Sequence, residues 1–348
     1  MAVLKLRLLT PVRQSLKRVL GWQPLALRRI PYVLLFILAV FAIAACNPDA
    51  APKVDSTAST DANCRPVQHA MGESCVPLSP DRVVTLTLPA LANLVALDIE
   101  PVGTATYEAF AGINLQPYLE NAVDGIEWVG SDNQPSLEKI AQLSPDLILG
   151  LKKQHQSIYP QLSEIAPTVL FELGDRSNWQ QLLLEIAAVF DQTSEAQQLL
   201  QDYSHRVDEL RQQLGEQGLQ QEISIAYALG GSLYSEAKNS FPGSVLEDVG
   251  LHRPPAQDVA APASGRLAFS PERIDSIDGD VLFIPKSGND LDRDQEALMQ
   301  KPLWQTLEVV QQDQVYRVNL WEWSGLDILA AHEVLNDLFQ YLVNEPPS

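Results

Sequence analysis

Ser194 to Gln217, SEAQQLLQDYSHRVDELRQQLGEQ, decides how the rest of this chain is divided. Ala196, Leu199, Leu200, Tyr203, Val207, Leu210 and Leu214 recur three or four residues apart, so they mark one apolar face of a long helix. Ser194 and Gln197 are spaced as a capping box at its start, and Gly215 and Gly218 end the helix-favouring region. At ~1.5 Å per residue such a helix runs roughly 30 Å, about the diameter of a domain. The pattern fits a bridge between two lobes or an ordinary surface helix, and the sequence on either side favours the bridge.

Upstream, strand and helix patterns alternate. The strands are expected at Arg82–Leu88, Val102–Thr106, Glu127–Gly130, Asp146–Leu151 and Thr168–Phe171, with helices at Ala90–Asp98, Leu137–Leu143 and Tyr159–Ile165. Tyr107 to Gly125 lacks a period and reads as a loop with one small helical piece. Trp179–Phe190 is a helix that precedes the long one. Downstream the alternation resumes, with strands at Ile223–Leu229, Asp280–Ile284 and Val315–Val318 and helices at Val245–Val249, Pro271–Ile277, Trp304–Val310 and Leu326–Val343. Leu251 to Arg266 is rich in proline and alanine and reads as an irregular loop. Such alternation predicts α/β lobes with largely parallel sheets.

A short repeat crosses the long helix. Glu138-Lys139-Ile140, Leu143 and Asp146-Leu147-Ile148 align without a gap on Glu272-Arg273-Ile274, Ile277 and Asp280-Val281-Leu282. Each copy follows a proline, Pro135 or Pro271, and places a glutamate in the first turn of a short helix and an aspartate at the head of a strand. Two similar lobes explain this better than one continuous sheet.

The beginning of the chain carries an address. Met1 to Arg29 holds seven basic residues and no acid, and the apolar run Pro31 to Ala45 then leads to Cys46. Fifteen residues are short for a membrane span, and small residues before the cysteine fit a processing site, so residues 1–45 read as an export signal. The ending AIAAC resembles a bacterial lipobox with Cys46 as the lipidated residue; an uncleaved anchor is the alternative, and either places the remainder outside the cytoplasm. Removal of 45 residues leaves 303 and moves the formal charge from −20 to −27, which opposes nucleic-acid binding. Residues 46–63 are rich in Ala, Ser, Thr, Asp and Pro and read as a flexible tether.

Cys64 and Cys75 remain. They lie in two short strand-like stretches about a turn near Met71 and Gly72, and an oxidising compartment permits a disulfide between them. Free structural thiols are the alternative, and a metal site including His69 lacks a clear fourth ligand. The five histidines, His69, His155, His205, His252 and His332, form no close ligand motif, so no resident metal is expected. No HExxH, GxSxG or GxGxxG array occurs, which leaves an extracytoplasmic hydrolase as a minor reading and a non-enzymatic protein as the main one.

RPVQHAMGESCVP (65–77), RVVTLTLPALANLVALDIEPVGTA (82–105), QPSLEKIAQLSPDLILG (134–150), FSPERIDSIDGDVLFI (269–284), PLWQTLEVVQQDQVYRVN (302–319) and LDILAAHEVLNDL (326–338) together resemble the periplasmic iron-siderophore and ferric dicitrate binding proteins of ABC importers. The resemblance spans nearly all of Cys64 to Val343. It implies the class III binding-protein architecture, two Rossmann-like lobes joined by one long rigid α-helix with the ligand between them. The expected division is a lobe over 64–176, a connecting helical region over 177–218 and a second lobe over 219–348. It also implies an Fe(III) chelate as ligand without a cofactor, an ABC permease dimer with its ATPase as partner, a lipid attachment to the membrane and a monomeric state. Cobalamin or haem is the rival ligand, since the same fold serves them.

The resemblance further gives one glutamate on each lobe a docking role toward basic permease residues, corresponding here to Glu138 and Glu272. Two carboxylates fixed on separate helices can register a two-lobed protein over a paired basic surface. A ferric chelate with dispersed negative charge calls for cations, aromatic walls and hydroxyl donors. Candidates at strand ends and in loops are Tyr107, Trp128, Lys152, Lys153, Tyr234, Lys238, Arg266, Lys286, Trp321 and Trp323.

Overall fold

The computed structural model describes residues 63–107, 117–119, 122, 124–262, 265–287 and 290–343. The export signal, Cys46 and nearly all of the expected tether lie outside the described residues.

The described chain opens with an antiparallel hairpin, β1 (Cys64–His69) and β2 (Gly72–Pro77), turning at Gly72, whose φ of 130° is open to glycine. The expected Cys64–Cys75 disulfide is formed across it. Ala70 N donates to Leu170 O at 2.9 Å and Ser74 Oγ to Thr168 O at 2.9 Å, which fastens the hairpin to the edge of the first sheet.

That sheet comprises β3 (Val83–Thr85), β4 (Gly103–Thr106), β5 (Glu127–Ser131), β6 (Leu147–Leu151) and β7 (Thr168–Phe171) in the order β5-β4-β3-β6-β7, all parallel. The helices between them are α1 (Leu88–Ala96), α2 (Leu137–Gln142), α3 (Lys152–His155) and α4 (Tyr159–Ile165). Leu147 to Leu151 is buried at every position, as a central parallel strand covered on both faces requires. Thr87 and Ser136 side chains accept from the amides of Ala90 and Lys139 and so start α1 and α2.

After α5 (Trp179–Val189) comes the long helix α6 (Thr193–Gly218). It starts a residue earlier than the sequence suggested, with Gln192 at the cap position and no side-chain cap. The capping box is absent because Ser194 already lies inside the helix, where its Oγ donates to Glu195 Oε2 at 2.9 Å. Gly215, at φ 63° and ψ −175°, interrupts the helix near its end. The buried positions are Ala196, Tyr203, Val207 and Leu210, on the face expected from periodicity.

The second sheet is mixed. It holds β8 (Ile223–Leu229), β9 (Ser232–Glu236), β10 (Arg266–Phe269), β11 (Val281–Lys286) and β12 (Val315–Asn319) in the order β10-β9-β8-β11-β12. β8, β11 and β12 are parallel, whereas β9 and β10 are antiparallel additions. No sequence pattern marks β9 and β10: only Leu233 of Ser232–Glu236 is aliphatic, and β10 begins where the irregular loop ends. Gly230 and Gly231, with φ of 57° and 77°, make the tight β8–β9 turn. The helices are α7 (Phe241–Val249), α8 (Asp290–Met299), α9 (Glu308–Gln311) and α10 (Ile328–Leu338). Pro271–Ile277 is a 3-10 helix, and the single helix expected over Trp304–Val310 is a 3-10 turn, Pro302–Thr306, followed by α9.

The repeat falls on equivalent places. In each sheet the fourth strand of the order, β6 or β11, carries the repeated aspartate just before it. Asp146 accepts from the amides of Asp81 and Arg82 at 2.8 and 3.0 Å, at the head of neighbouring β3. Asp280 accepts from the Glu222 amide at 2.7 Å, at the head of neighbouring β8. The carboxylate therefore replaces ladder partners that the first residues of the adjacent strand would lack.

One apolar core touches both sheets. It runs from Leu147 and Leu149 through Trp179, Leu183, Tyr203 and Val207 to Ile225 and Phe283, and α10 adds Val334, Leu335 and Leu338. The connection between the lobes is thus a packed seam of α5, α6 and α10, not a lone strut. The long helix covers only part of the apolar surface that the sheets present, and α1, α5, α7 and α10 share in covering the rest.

Candidate functional site

The carboxyl ends of the parallel strands in the first sheet converge on a cavity of about 100 Å³, the place where parallel sheets present ligands. Tyr107 follows β4, Asp132 follows β5 and Lys153 lies just after β6, while Arg176 comes from the segment before α5 and Leu326 from the far lobe. Arg176 Nη2 donates to Ser324 O at 3.0 Å and thereby bridges toward the second lobe.

His155 fixes this floor. It is fully buried, its Nδ1 accepts from Leu151 N at 3.1 Å, and its Nε2 donates to Asp132 O at 2.8 Å. The Asp132 carbonyl calls for a proton on Nε2, Nδ1 faces both the amide and the carbonyl of Leu151, and burial lowers the ring's pKa. Gly150 is needed here because a Cβ would lie 2.8 Å from His155 Nδ1.

A second polar and aromatic group comes from the antiparallel corner of the second sheet. Tyr227 pairs with Tyr234, and Glu236 pairs with Arg266. Since side chains alternate along strands, these four share one sheet face, while Ala226, Ala228 and Leu233 on the other enter the apolar cluster around Leu282 and Trp304. The two tyrosine rings stack at 5.7 Å, and Arg266 lies over the Tyr227 ring at 5.8 Å. Arg266 Nε stands 3.6 Å from Glu236 Oε1, to which the Tyr227 hydroxyl donates at 3.4 Å.

The electrostatics join the two groups. Burial pushes the Tyr107 hydroxyl up to about 12, opposed first by Arg176 and also by Arg266. Burial raises the Glu236 carboxyl, against Arg266, Arg176 and Arg253 in that order. Tyr227 is likewise raised by burial and then by Glu236, and lowered by the same Arg266 and Arg176. Two guanidiniums from different parts of the chain therefore act on tyrosines of both lobes.

Of the sequence-predicted residues, Tyr107, Lys153, Tyr234 and Arg266 take these places. Lys286 is exposed at the carboxyl end of β11, and half-buried Trp321 follows β12, its amide bound to Asn319 Oδ1 at 2.9 Å. The other four lie elsewhere. Lys152 turns from its neighbour to pair with Glu172 at 2.5 Å. Lys238 is exposed and pairs with Glu247 at 3.3 Å and Asp258 at 3.8 Å. Trp128 is 38% exposed near the start of edge strand β5, away from the strand end that lines the cavity. Trp323 is a core residue, 1% exposed, with its indole against Phe283 at 4.7 Å and its Nε1 donating to Asp337 at 2.7 Å. Sequence reading missed Arg176, Tyr227 and Glu236. Arg176 sits in a segment without periodicity, and the other two belong to strands whose pairing could not be read.

Glu138 and Glu272 are both exposed in first turns, of α2 and of the 3-10 helix after β10. Gln142 Nε2 donates to Glu138 at 3.3 Å. The Glu272 carboxyl is held low by its own backbone amide and the Ser270 hydroxyl. Among the described residues no group of three His, Cys, Asp or Glu side chains is placed to hold a metal ion.

Residues 83–319 match the model of the family described as periplasmic binding protein. The chain belongs to that family. It is 31% identical over 327 residues to the probable siderophore-binding lipoprotein YfiY of Bacillus subtilis, covering 91% of this chain and 98% of that protein. The achromobactin-binding periplasmic protein of Dickeya dadantii is 34% identical over 266 residues, 74% of this chain and 85% of its own length. Among solved structures, Staphylococcus aureus SirA complexed with staphyloferrin B shares the fold, with a TM-score of 0.71 at 23% identity, over 80% of this chain and 98% of that one.

Proposed function

We propose that this protein captures an iron(III) chelate of the siderophore or ferric citrate type and delivers it to an ABC permease and its ATPase. The observation that carries the reading is a pair of cationic and aromatic groupings, Arg176 with Tyr107 lining the cavity at the strand ends of the first sheet and Arg266 over the Tyr227 ring at 5.8 Å in the second. Such a lining suits a ligand whose negative charge is spread over several oxygens around a metal. The relatives named for siderophore and achromobactin binding support the same ligand class. The iron stays held by its chelator, and the protein binds the complex without chemical turnover.

In this reading 64–176 and 219–348 are the two ligand-binding lobes on either side of 177–218, and Cys46 carries the lipid that keeps a monomer at the membrane. Glu138 and Glu272 dock the loaded protein on the permease pair.

Tryptophan-fluorescence titration tests the ligand class, with ferric citrate, ferric catecholate and ferric hydroxamate chelates compared against cobalamin and haem. Saturation by an iron chelate at or below roughly 10 µM is expected, a binding free energy near 7 kcal/mol. Saturation by cobalamin or haem alone, or by none of the five, would overturn the assignment.

A further inference from the structure

Glu236 is out of place in a cleft built for an anion. Its side chain is only 9% exposed, yet it lies on the face shared by Tyr227, Tyr234 and Arg266. Burying a carboxylate is costly unless it is paired and hydrogen-bonded. Here the pairing is supplied by Arg266 at 3.6 Å and the hydroxyl of Tyr227 at 3.4 Å. A second arginine secures the backbone behind it. Arg253, also buried, donates to Glu236 O at 2.6 Å, to Ala237 O at 3.2 Å and to Gln257 Oε1 at 2.9 Å. Gln257 in turn donates to Ser224 Oγ at 2.6 Å and accepts from the Ile225 amide at 3.2 Å. The buried network fixes the backbone that carries Glu236, and the carboxylate itself is held toward the shared face by Tyr227 and Arg266.

A fixed negative charge beside one of the two cleft guanidiniums has a definite effect on what the cleft accepts. In a partly desolvated site it acts over the whole width of a small ligand, because screening by salt is weak there. It offsets part of the attraction that Arg176 and Arg266 exert, and the offset grows with the charge of the ligand. A carboxylate held beside the ligand opposes an anionic chelate in proportion to that chelate's charge, a cost that an uncharged one avoids.

We propose that Glu236 sets the charge selectivity of the cleft, so that it favours iron chelates of low net charge over highly anionic ones. The inference rests on the iron-chelate reading and adds to it the class of chelate and the residue that selects it. Arg266 remains a ligand contact, held in position over Tyr227 by the carboxylate, and the aromatic pair Tyr227 and Tyr234 supplies contact area that does not depend on ligand charge.

The test uses the full chain in detergent, titrated to millimolar concentration with a highly anionic ferric tris-catecholate and an uncharged ferric tris-hydroxamate. The wild type is expected to bind the tris-hydroxamate more tightly. Glu236→Gln should shift the affinity ratio toward the tris-catecholate by roughly tenfold, while Glu236→Asp, which keeps the charge, should stay within about threefold of the wild-type ratio. A tris-catecholate that gains measurable affinity only in Glu236→Gln counts as that shift. Wild-type preference for the tris-catecholate, an unchanged ratio in Glu236→Gln, or an equal shift in Glu236→Asp overturns the proposal while leaving the iron-chelate reading in place. Saturation by neither chelate in any of the three proteins removes both.

Discussion

The hydroxyl of Tyr118 donates to Asp327 Oδ2 at 3.0 Å, joining the turn Pro117–Leu119 beyond β4 of the first sheet to the head of α10 beyond the second. Asp327 is fully buried, and its other oxygen caps α10 through the Ala330 amide at 2.8 Å. Leu326 beside it adopts φ 65°, and a Cβ on Gly325 would stand 2.9 Å from the Tyr118 hydroxyl. The lobes thus meet through a tight polar contact next to the cleft as well as through the helical seam.

Asp327 makes stability depend on pH. Burial pushes its carboxyl up to about 7, against the Ala330 and Leu329 amides and Tyr118. The fold therefore favours the protonated acid, a contribution fully present below the ordinary aspartate value of 3.8 and lost as pH rises through about 7. Asp327→Asn keeps a capping side chain but cannot ionise. The fall in melting temperature between pH 5 and pH 8 should be smaller in this variant than in the wild type, by at least about 2–4 °C, the effect of ~1 kcal/mol in a protein of this size. Equal pH profiles would show that Asp327 does not titrate in this range.

Arg176 should be needed for affinity and not for folding. It donates to the Ser324 carbonyl at 3.0 Å, and its charge acts on Tyr107, Tyr227 and Glu236. Arg176→Ala should weaken binding of an iron chelate about 10- to 100-fold, the range for loss of a charge-assisted hydrogen bond in a desolvated site. Arg176→Lys should recover part of that loss. A dissociation constant within twofold of wild type in Arg176→Ala would remove this residue from the site.

The exposed glutamates separate binding from delivery. Replacing Glu138 and Glu272 together by lysine should leave chelate affinity within about twofold and reduce uptake by cells at least tenfold, since like charges oppose docking on a basic surface. Normal uptake by the double variant would defeat the docking role, and a loss of chelate affinity would place these residues in the wrong part of the molecule.

The shared core predicts one cooperative unfolding unit. Trp179 is fully buried, meets Tyr203 edge-on at 5.1 Å and Phe241 at 5.8 Å, and donates from Nε1 to Ser244 Oγ at 3.2 Å. Trp179→Ala should cost roughly 3–5 kcal/mol and lower a single calorimetric transition. A split into two transitions in the wild type would show instead that each sheet carries its own core.

Much of the architecture was legible because local patterns coincide with it. Leu147–Leu151 is buried throughout, as its unbroken apolar run required, and the apolar stripe of Ser194–Gln217 is the buried face of α6. The repeated aspartates Asp146 and Asp280 mark equivalent strand heads. The cap at Ser194 failed because a capping motif is a local option, and packing against α5 and α10 carried the helix start past it.

The site was less legible. Lys152 and Lys153 are neighbours with the same chemistry, and only the fold directs one to Glu172 and the other to the cavity. Trp321 and Trp323 look alike in sequence, yet one is half-buried and the other lies within the core on Phe283. Periodicity, caps and apolar runs are properties of a few consecutive residues, so the sequence by itself determined the two α/β halves, the helix between them and the paired short helices bearing Glu138 and Glu272. Arg176, Tyr227, Glu236 and Arg266 come together only through the register of β8, β9 and β10 and the closure of α10 against both sheets, contacts between residues far apart in the chain that the tertiary structure alone decided.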